Sequence, residues 1–348
     1  MRRIVFFELE TLNQVALNAV ARDAGITTVF CDHGIQDMQI SQQVQRLGLG
    51  HAPTATPLLT RLVHARRRLL PAVGDRLFFV RSLLMAKREL AGFLRRYRDV
   101  RMASTIFDTY ERIHEAHLYP TEYLCISARN YEFHRTMNHG WSDARVSYFG
   151  LPEFDELSGA AAERDPHAVL YVDQPYCHQQ KYGWTPENKL AFLAQIARAV
   201  TERGFALLAR PHPREGDFWK AHKVEIEALG IAVVADTDRL RAMRSAGVVL
   251  GFNSTLLLPL AASEDVAVFC LHMHPDPRFA PSPMFVDAGV AHWVHTDDDL
   301  VEALAPGNLH LTREEQNRHK ATFIREWMYA FDGRCGERFE GLVLGTTP

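Results

Sequence analysis

The first 35 residues alternate between apolar runs and one amphipathic stretch, and this alternation constrains the fold more than any other feature. RIVFFEL and ITTVFC predict β-strands, and LNQVALNAVARDAG between them predicts a helix that ends at Gly25. Strand, helix and strand over so short a length indicate a parallel βαβ unit. Ligands of such units bind at the carboxyl ends of the strands. The sequence therefore predicts an α/β fold and points to the residues that follow each strand.

The same alternation restarts further along the chain. TEYLCIS and RVSYFG predict two more strands, and the turn-rich GLPEFDELSGAAAERDP marks a domain boundary near residues 155–166. Five predicted strands then alternate with four predicted helices; the strands are AVLYVDQP, FALLARPHP, IAVVAD, VVLGFN and VAVFCL. A last helix is predicted over Thr312 to Phe331, with a threonine cap. We predict two Rossmann-like domains, residues 1–160 and 161–311, followed by a C-terminal helix and tail over 312–348.

Length and composition agree with this organisation. The chain has 348 residues, which fits two domains of roughly 150 residues each. Its 47% hydrophobic and 23% charged residues are typical of a soluble globular protein, and no apolar run approaches the roughly 18 residues of a membrane span. Glu8 and Glu10 come too early for a signal peptide. Five separated cysteines, without a CxxC pair, predict a reduced cytoplasmic chain with no disulfide framework.

A basic segment interrupts the first predicted domain at residues 61–101. It holds eleven arginines and one lysine against three acidic residues, while the whole chain has a net charge of only −3. The near-neutral total argues against a nucleic-acid binder. Leu, Phe, Val and Met alternate with the basic residues at helical spacing. The segment is either a helical insertion that contacts an anionic membrane at its cytoplasmic face or the solvated outer face of core helices.

The stretch LLARPHPREGDFW carries a cluster of cationic side chains after a predicted buried strand. Arg210, His212 and Arg214 stand just before a predicted helix, whose N-terminus favours an anion. Two prolines hold the loop extended and aim His212. This pattern predicts a phosphate or diphosphate site. The alternative is a proline-rich turn with basic residues on its surface.

The stretch VVLGFNSTLLLPLAA places polar side chains after another predicted strand. Asn253, Ser254 and Thr255 lead from Gly251 into an apolar helix, where the two hydroxyls either cap the helix or cradle a phosphate. We expect this stretch and the Arg210–Arg214 loop to end neighbouring strands of one sheet. Because such strand ends share one edge, the two stretches are expected to converge on one ligand.

Short motifs along residues 8–331 resemble a known group of enzymes. The motifs are an HG after an N-terminal strand (His33 and Gly34), a GxPxFD before the boundary, an HP at His212, and the Ser254–Thr255 pair. This set resembles bacterial glycosyltransferases of the GT-B fold that use cytidine nucleotides. The group includes sialyltransferase and polysialyltransferase-like enzymes, capsule Kdo transferases and teichoic-acid glycerophosphotransferases. Sialyltransferase-like enzymes have an acidic pair before glycine and the glycerophosphotransferases have Trp-His-Gly, whereas this chain has Asp-His-Gly.

The resemblance implies a GT-B architecture, in which two Rossmann-like domains face a central cleft and a C-terminal helix crosses back. It also implies that His212, Ser254 and Thr255 contact the phosphate of a cytidine nucleotide. The expected activity is transfer of a nonulosonic-type sugar, such as sialic acid or Kdo, from a CMP-sugar donor to a glycan or lipid-linked acceptor. Two alternatives stay open: a CDP-glycerol or CDP-ribitol polyol-phosphate transferase, and a non-catalytic nucleotide-sugar-binding protein of capsule assembly.

The residues around DHG suit the acceptor side of such a reaction. His33 is a candidate base for the acceptor hydroxyl, because imidazole is the side chain that exchanges protons near neutral pH, and Asp32 either orients its ring or acts as a nucleophile in a double displacement. Glu8, Glu10 and Asn13 follow the first strand and either bind acceptor sugar hydroxyls or cap the next helix. Because cationic side chains neutralise the leaving phosphate, no metal is required.

Two further stretches offer candidate ligands. Gln174 follows the first strand of the second domain and either binds the donor carboxylate or nucleotide or belongs to a plain turn. Cys270, His272 and His274 alternate in FCLHMHPDP, as metal ligands on one strand face would. A fourth ligand is not evident, so we favour a loop that packs against the nucleotide base, and no metal site is predicted.

Overall fold

The computed structural model describes residues 3–34, 76–104, 106–137, 144–158, 164–179, 181–279 and 281–346. These residues form two compact units. The first unit contains the described residues up to Phe149 and those from Gly341 onward, and the second contains those of Gly150–Glu340. The division falls at Gly150, close to the turn-rich segment of the sequence. Residues 61–75 of the basic segment lie outside the described residues.

The first unit is built on a four-stranded parallel sheet. Its strands run in the spatial order β1-β2-β3-β4, with Val5 beside Val29 and Tyr123 beside Val146. The strands are β1 (Arg3–Phe6), β2 (Thr27–Cys31), β3 (Glu122–Cys125) and β4 (Arg145–Tyr148). β2 and β3 are almost wholly buried, as expected for the centre of a parallel sheet.

Helices cover this sheet and carry its core. They are α1 (Leu12–Asp23), α2 (76–85), α3 (Arg88–Ala103), α4 (Ile106–Arg112) and α5 (Ala128–Met137), with a 3₁₀ turn at Ala116–Leu118. α1 begins with a capping box, because the Thr11 hydroxyl accepts the backbone N–H of Gln14 while the Gln14 side chain accepts that of Thr11. Phe93, Leu94 and Tyr97 of α3 have no exposed surface.

The second unit is built on a six-stranded parallel sheet. Its spatial order is β10-β9-β8-β5-β6-β7, so the chain winds outward in both directions from β5. The strands are β5 (Asp165–Val172), β6 (Ala206–Arg210), β7 (Ala232–Val233), β8 (Ala246–Gly251), β9 (Ala267–Leu271) and β10 (His292–Val294). β8 and β9 are buried throughout. The prediction of an α/β chain with two Rossmann-like units is confirmed.

The helices of the second unit are shorter than the sequence pattern predicts. They are α6 (Tyr176–Gln179), α7 (Pro186–Glu202), α8 (Gly216–Ala221), α9 (Lys223–Ala228), α10 (Arg239–Ser245), α11 (Leu257–Ala262), α12 (Met284–Asp287), α13 (Asp297–Ala303), α14 (Pro306–Phe323) and α15 (Cys335–Leu344), of which the residues from Gly341 onward belong to the first unit. 3₁₀ turns occupy Pro152–Leu157, Pro213–Glu215 and Asp236–Asp238. Among the helices of the described ranges, none has both the length and the apolar character of a membrane span.

The C-terminal helix prediction is wrong at both ends. α14 starts at Pro306, so Thr312 lies inside it instead of capping it, and the helix passes into a π-helical turn at Ile324–Met328. Proline at the first position is a favourable helix start that outweighs the internal threonine. Tyr329 then adopts a positive φ of 63° and ends the element.

The GxPxFD segment anchors the last helix. The Asp155 carboxylate accepts the backbone N–H groups of Cys335 at 2.9 Å and Gly336 at 2.7 Å, at the start of α15. Gly150 has a φ of 85°, and a Cβ there would lie 2.5 Å from the Cys335 sulfur. Only glycine fits this position without displacing α15. All five cysteines of the chain, Cys335 included, are free thiols.

Candidate active site

The carboxyl edge of the second sheet collects the polar residues that follow its strands. Asp173 and Gln174 follow β5, the Pro211–His212 pair follows β6, and Asn253 lies just beyond β8. β5 lies between β6 and β8, so the two predicted phosphate stretches flank one strand instead of ending neighbouring strands. The Gln174 amide nitrogen donates to the Asn253 carbonyl at 2.6 Å and ties one of these stretches to β5.

The ring of His212 is fixed by its own loop. Its Nδ1 accepts the backbone N–H of Arg214 at 3.1 Å and so caps the short 3₁₀ turn at Pro213–Glu215. Burial lowers the pKa of His212, and the nearby arginines and Lys189 lower it further, against the opposing charge of Asp173. A neutral ring whose Nδ1 accepts a hydrogen bond carries its proton on Nε2. His212 therefore presents a donor at the carboxyl end of β6.

A buried cluster centred on Asp173 holds this loop to the sheet. The Asp173 carboxylate contacts Lys189 Nζ at 2.8 Å, accepts the indole N–H of Trp219 at 2.6 Å and accepts the backbone N–H of His212 at 3.3 Å. Lys189 also contacts Glu215 at 3.2 Å. All these acidic and basic groups are almost fully buried. An ion cluster in such a setting is rigid, because each charge depends on its partners for solvation.

The two arginines of the loop have different surroundings. Arg210 is buried, and its guanidinium contacts Asp236 at 2.8 Å and donates to the Pro211 carbonyl at 2.7 Å. These contacts use both terminal nitrogens, while the buried Nε has no hydrogen-bond partner among the described residues, so Arg210 shapes the loop in this structure. Arg214 is exposed and contributes to the positive potential around His212 and Lys181.

The Asn253–Thr255 stretch forms a turn before its helix. α11 begins only at Leu257, because the Ser254 carbonyl accepts the Leu257 N–H and the Ser254 hydroxyl accepts the Leu256 N–H. The helix has six residues, so its dipole is short. The Asn253 Oδ1 is buried and has no hydrogen-bond partner among the described residues. Asn253, Ser254 and Thr255 are each partly exposed.

Cys270, His272 and His274 do not share a site. Cys270 is fully buried within β9. His272 lies with its Nδ1 3.0 Å from Nδ1 of His295, at the end of β10. His274 accepts the indole N–H of Trp184 at 3.0 Å within a group of aromatic rings, and burial lowers the pKa of His274 to about 3. The predicted common strand face is wrong, because the chain leaves the strand after Leu271.

In the first unit, Asp32 is an anchor at the carboxyl end of β2. Its carboxylate contacts Nε2 of His134 at 2.8 Å and accepts the Ile126 N–H and the Asn130 side-chain amide, each at 3.3 Å. The side chain of Asp32 has no exposed surface. The expectation that Asp32 orients His33 is therefore wrong in this structure, since the carboxylate binds His134 instead. Its complete burial disfavours the nucleophilic role that was the other prediction for Asp32.

His33 projects from this anchored turn into solvent. Asn130 donates to the Gly34 carbonyl at 2.8 Å, so the residues on both sides of His33 are held in place. The His33 ring is exposed and lies edge-on to Phe7, with centroids 6.5 Å apart. An exposed imidazole on a fixed backbone has the access that a general base needs.

The remaining predicted residues of the first unit follow β1, with Glu8 and Glu10 before α1 and Asn13 in its first turn. Glu8 and Glu10 are exposed, and the helix is capped by Thr11, which excludes the capping role considered for them. The packing around its carboxyl and the charge of Glu8 raise the pKa of Glu10, although Arg101 and His33 oppose the shift. Asn13 has a buried Oδ1 without a hydrogen-bond partner among the described residues.

Several residues that hold the site in place lie in helices, where the sequence carries little signal. Lys189 lies in α7, Trp219 in α8, and both Asn130 and His134 in α5, which the strand-centred pattern missed. Lys189 alone carried a hint, because a lysine on the apolar face of an amphipathic helix needs a buried carboxylate. Among the described residues, Asp32, Cys125 and His134 bring metal-type ligand atoms within 4.8 Å of one another. Asp32 and His134 already hydrogen-bond to each other, so each of these two side chains has a partner without a metal ion.

Solved structures of other proteins resemble the chain only weakly. The wall teichoic acid polymerase TagF is 10% identical, with 92% of this chain and 68% of TagF aligned at a TM-score of 0.49. Os79 from O. sativa in complex with UDP is 14% identical, with 99% and 78% aligned at 0.47. The UDP-GlcNAc 2-epimerase from Methanocaldococcus jannaschii is 11% identical, with 99% and 76% aligned at 0.46. These values bear on neither substrate nor activity.

The comparison with protein families is more specific. No curated protein sequence matches the chain significantly. The profile of the family described as alpha-2,8-polysialyltransferase (POLYST) matches residues 8–271, which include the DHG, GxPxFD, HP and Ser-Thr motifs. The matched region spans most of the chain and both units. The chain therefore belongs to the α-2,8-polysialyltransferase family and is a glycosyltransferase.

Proposed function

We propose that this glycosyltransferase moves a nonulosonic-type sugar, such as sialic acid, Kdo or a relative, from a CMP conjugate to a glycan or glycolipid acceptor in the synthesis of bacterial surface polysaccharide. The observation that carries the proposal is the fixed ring of His212, whose Nδ1 accepts the Arg214 N–H. A neutral imidazole with its proton held on Nε2 suits the phosphate of a leaving cytidine monophosphate.

The leaving group is bound at the carboxyl edge of the second sheet. His212 donates from Nε2 to a phosphate oxygen, and the Ser254 and Thr255 hydroxyls donate from the other side of β5. Exposed Arg214 adds positive charge, so side chains instead of a metal ion neutralise the phosphate. Asn253 and Gln174 lie at the same edge and contact the sugar or the nucleotide. Arg210 stays outside this contact set, because Asp236 and the Pro211 carbonyl engage both of its terminal nitrogens.

The acceptor is activated by the first unit. His33 takes the proton of the acceptor hydroxyl while the hydroxyl oxygen bonds to the anomeric carbon and the bond from that carbon to the phosphate oxygen breaks. CMP leaves with the electron pair of the broken bond. Glu8, Glu10 and Asn13 bind sugar hydroxyls of the acceptor. The complete burial of Asp32 supports a single displacement, which inverts the anomeric configuration.

A donor comparison tests this proposal. The purified chain is incubated with CMP-Neu5Ac, CMP-Kdo or CDP-glycerol, with and without oligosaccharide acceptors. Release of CMP is measured for all three donors, and transfer of glycerol phosphate is measured for CDP-glycerol. Release of CMP from one of the CMP-sugars, accelerated by an acceptor, is expected. Turnover of CDP-glycerol alone would identify a polyol-phosphate transferase instead. Binding of a cytidine conjugate without any turnover would favour the non-catalytic alternative, and the absence of both would contradict a cytidine-nucleotide site.

A further inference from the structure

Helix α2 of the first unit exposes an unusual number of large apolar side chains. Leu77 is 65% exposed, Leu84 is 80% exposed and Met85 is 74% exposed. Phe78 and Val80 are also exposed. We call these five residues the α2 patch. Leu77, Val80 and Leu84 follow one another at helical spacing, and Phe78 and Met85 flank them two turns apart, so the five form one continuous surface. Solvent-exposed apolar patches of this kind mark interaction sites.

The opposite face of α2 is also apolar, and it is already used. Phe79 is 3% exposed and belongs to the core of the first unit, and Leu83 packs against the same core. A helix that is apolar on both faces normally has a second partner on its outer face. The α2 patch is therefore distinct from the core-facing side of the helix, which Phe79 and Leu83 form.

The chain segment that carries the α2 patch is strongly basic. Residues 76–103 contain eight basic side chains and two acidic ones. Arg76 and Arg81 of α2 are exposed, and Arg81 lies within the patch. Lys87 is 77% exposed even though it pairs with Asp23. On α3, Arg88, Arg95 and Arg98 are exposed as well. The patch thus combines apolar side chains with a positive field.

We propose that the α2 patch docks the first unit onto an anionic lipid bilayer. Apolar side chains that insert at the boundary between head groups and acyl chains, together with arginines that contact lipid phosphates, are the two components of interfacial helix binding. A protein partner or a second copy of this chain would also cover apolar side chains. The arginine inside the patch and the excess of basic residues around it favour phosphate-bearing lipids over either of them.

Vesicle binding tests the proposal without reference to sugar transfer. The full chain is mixed with phosphatidylcholine vesicles that contain or lack phosphatidylglycerol, and the bound fraction is measured by flotation at low and high salt. Binding to the anionic vesicles, weakened by salt, is expected. The double variant Leu84→Glu/Met85→Glu should lower the partition coefficient by at least about tenfold, and Arg76→Ala/Arg81→Ala should lower it on anionic vesicles only.

Matched controls come from exposed apolar residues elsewhere. Val224 is 76% exposed on α9 and Leu311 is 63% exposed on α14, both in the second unit. Val224→Glu/Leu311→Glu should leave vesicle binding unchanged. Circular dichroism and thermal unfolding establish that each variant is folded. The proposal is overturned if the wild-type chain ignores anionic vesicles, if the control variant loses binding equally, or if Leu84→Glu/Met85→Glu only converts an oligomer to a monomer in light scattering.

Discussion

The carboxylate of Asp173 accepts the backbone N–H of His212 at 3.3 Å while it also contacts Lys189. One buried acid therefore joins the end of β5 to the loop after β6. The position of the His212 ring thus depends on an ion cluster that lies beneath it. Stability and ligand binding are coupled through this cluster, because loosening the loop displaces the donor on Nε2.

Replacing Lys189 by methionine should destabilise the second unit strongly. The change leaves Asp173 and Glu215 buried without their shared cation, and breaking buried pairs of this kind costs about 3–5 kcal/mol. Chemical denaturation measures the loss. Lys220→Met, on the exposed side of α8, is the control and should change the free energy of unfolding by less than about 0.5 kcal/mol. Equal stability of the two variants would refute the role given to the cluster.

Substitution of Asp32 should lower stability, whereas substitution of its neighbour His33 should lower turnover. Asp32→Ala leaves His134 and Asn130 without their buried acceptor and should lower the free energy of unfolding by about 2–4 kcal/mol. His33→Ala removes an exposed ring, so stability should change by less than about 0.5 kcal/mol while turnover falls by about 10²-fold or more. A His33→Ala enzyme with unchanged turnover would exclude His33 as the base.

The stability of the second unit should depend on pH through His274. Its pKa is lowered from 6.5 to about 3 by burial, so the folded state holds the neutral ring while the unfolded state gains a proton below pH 6.5. The neutral His274 ring contributes fully to the free energy of unfolding above pH 6.5, and this contribution is lost as the pH falls toward 3. His274→Asn keeps an acceptor for the Trp184 indole but does not titrate in this range.

The difference in unfolding free energy between the wild-type chain and His274→Asn isolates this effect. When the pH falls from 6.5 to 4, the wild-type chain should lose about 2–3 kcal/mol of unfolding free energy relative to His274→Asn. Carboxylates that titrate in the same range are common to both proteins and cancel. A difference that stays constant with pH would mean that the folded His274 accepts a proton as readily as the unfolded one.

The strands and the residues after them could be predicted from the sequence, because apolar runs between turn signals are local features. β5, β6, β8 and β9 lie where the pattern placed them, and His212 and Asn253 share the expected sheet edge. The short β10, His292–Val294, was missed because three residues give too little pattern. The prediction that β6 and β8 are neighbouring strands is wrong, because strand order is set by packing across the whole sheet.

The sequence does not reveal which polar side chains already have a partner within the fold. Arg210 and Asp32 have the residue types that phosphate binding and proton transfer need, yet Asp236 and His134 occupy them. Their partners lie 26 and 102 positions away in the chain, so no local spacing reveals the contact. The capping of the His212 loop by its own ring is, by contrast, a contact over two residues. Such short-range contacts follow from sequence more readily than long-range ones.

Calorimetric titration with CMP tests the central claim most directly. His212→Asn keeps an acceptor where Nδ1 stood, so the bond to the Arg214 N–H survives while the donor on Nε2 is lost. His310→Asn, at an exposed position on α14, is the control. We predict that the wild type and the His310→Asn variant bind CMP alike and that His212→Asn binds it at least about tenfold more weakly. Equal affinity of the folded His212→Asn variant and the wild type would contradict a phosphate contact at His212.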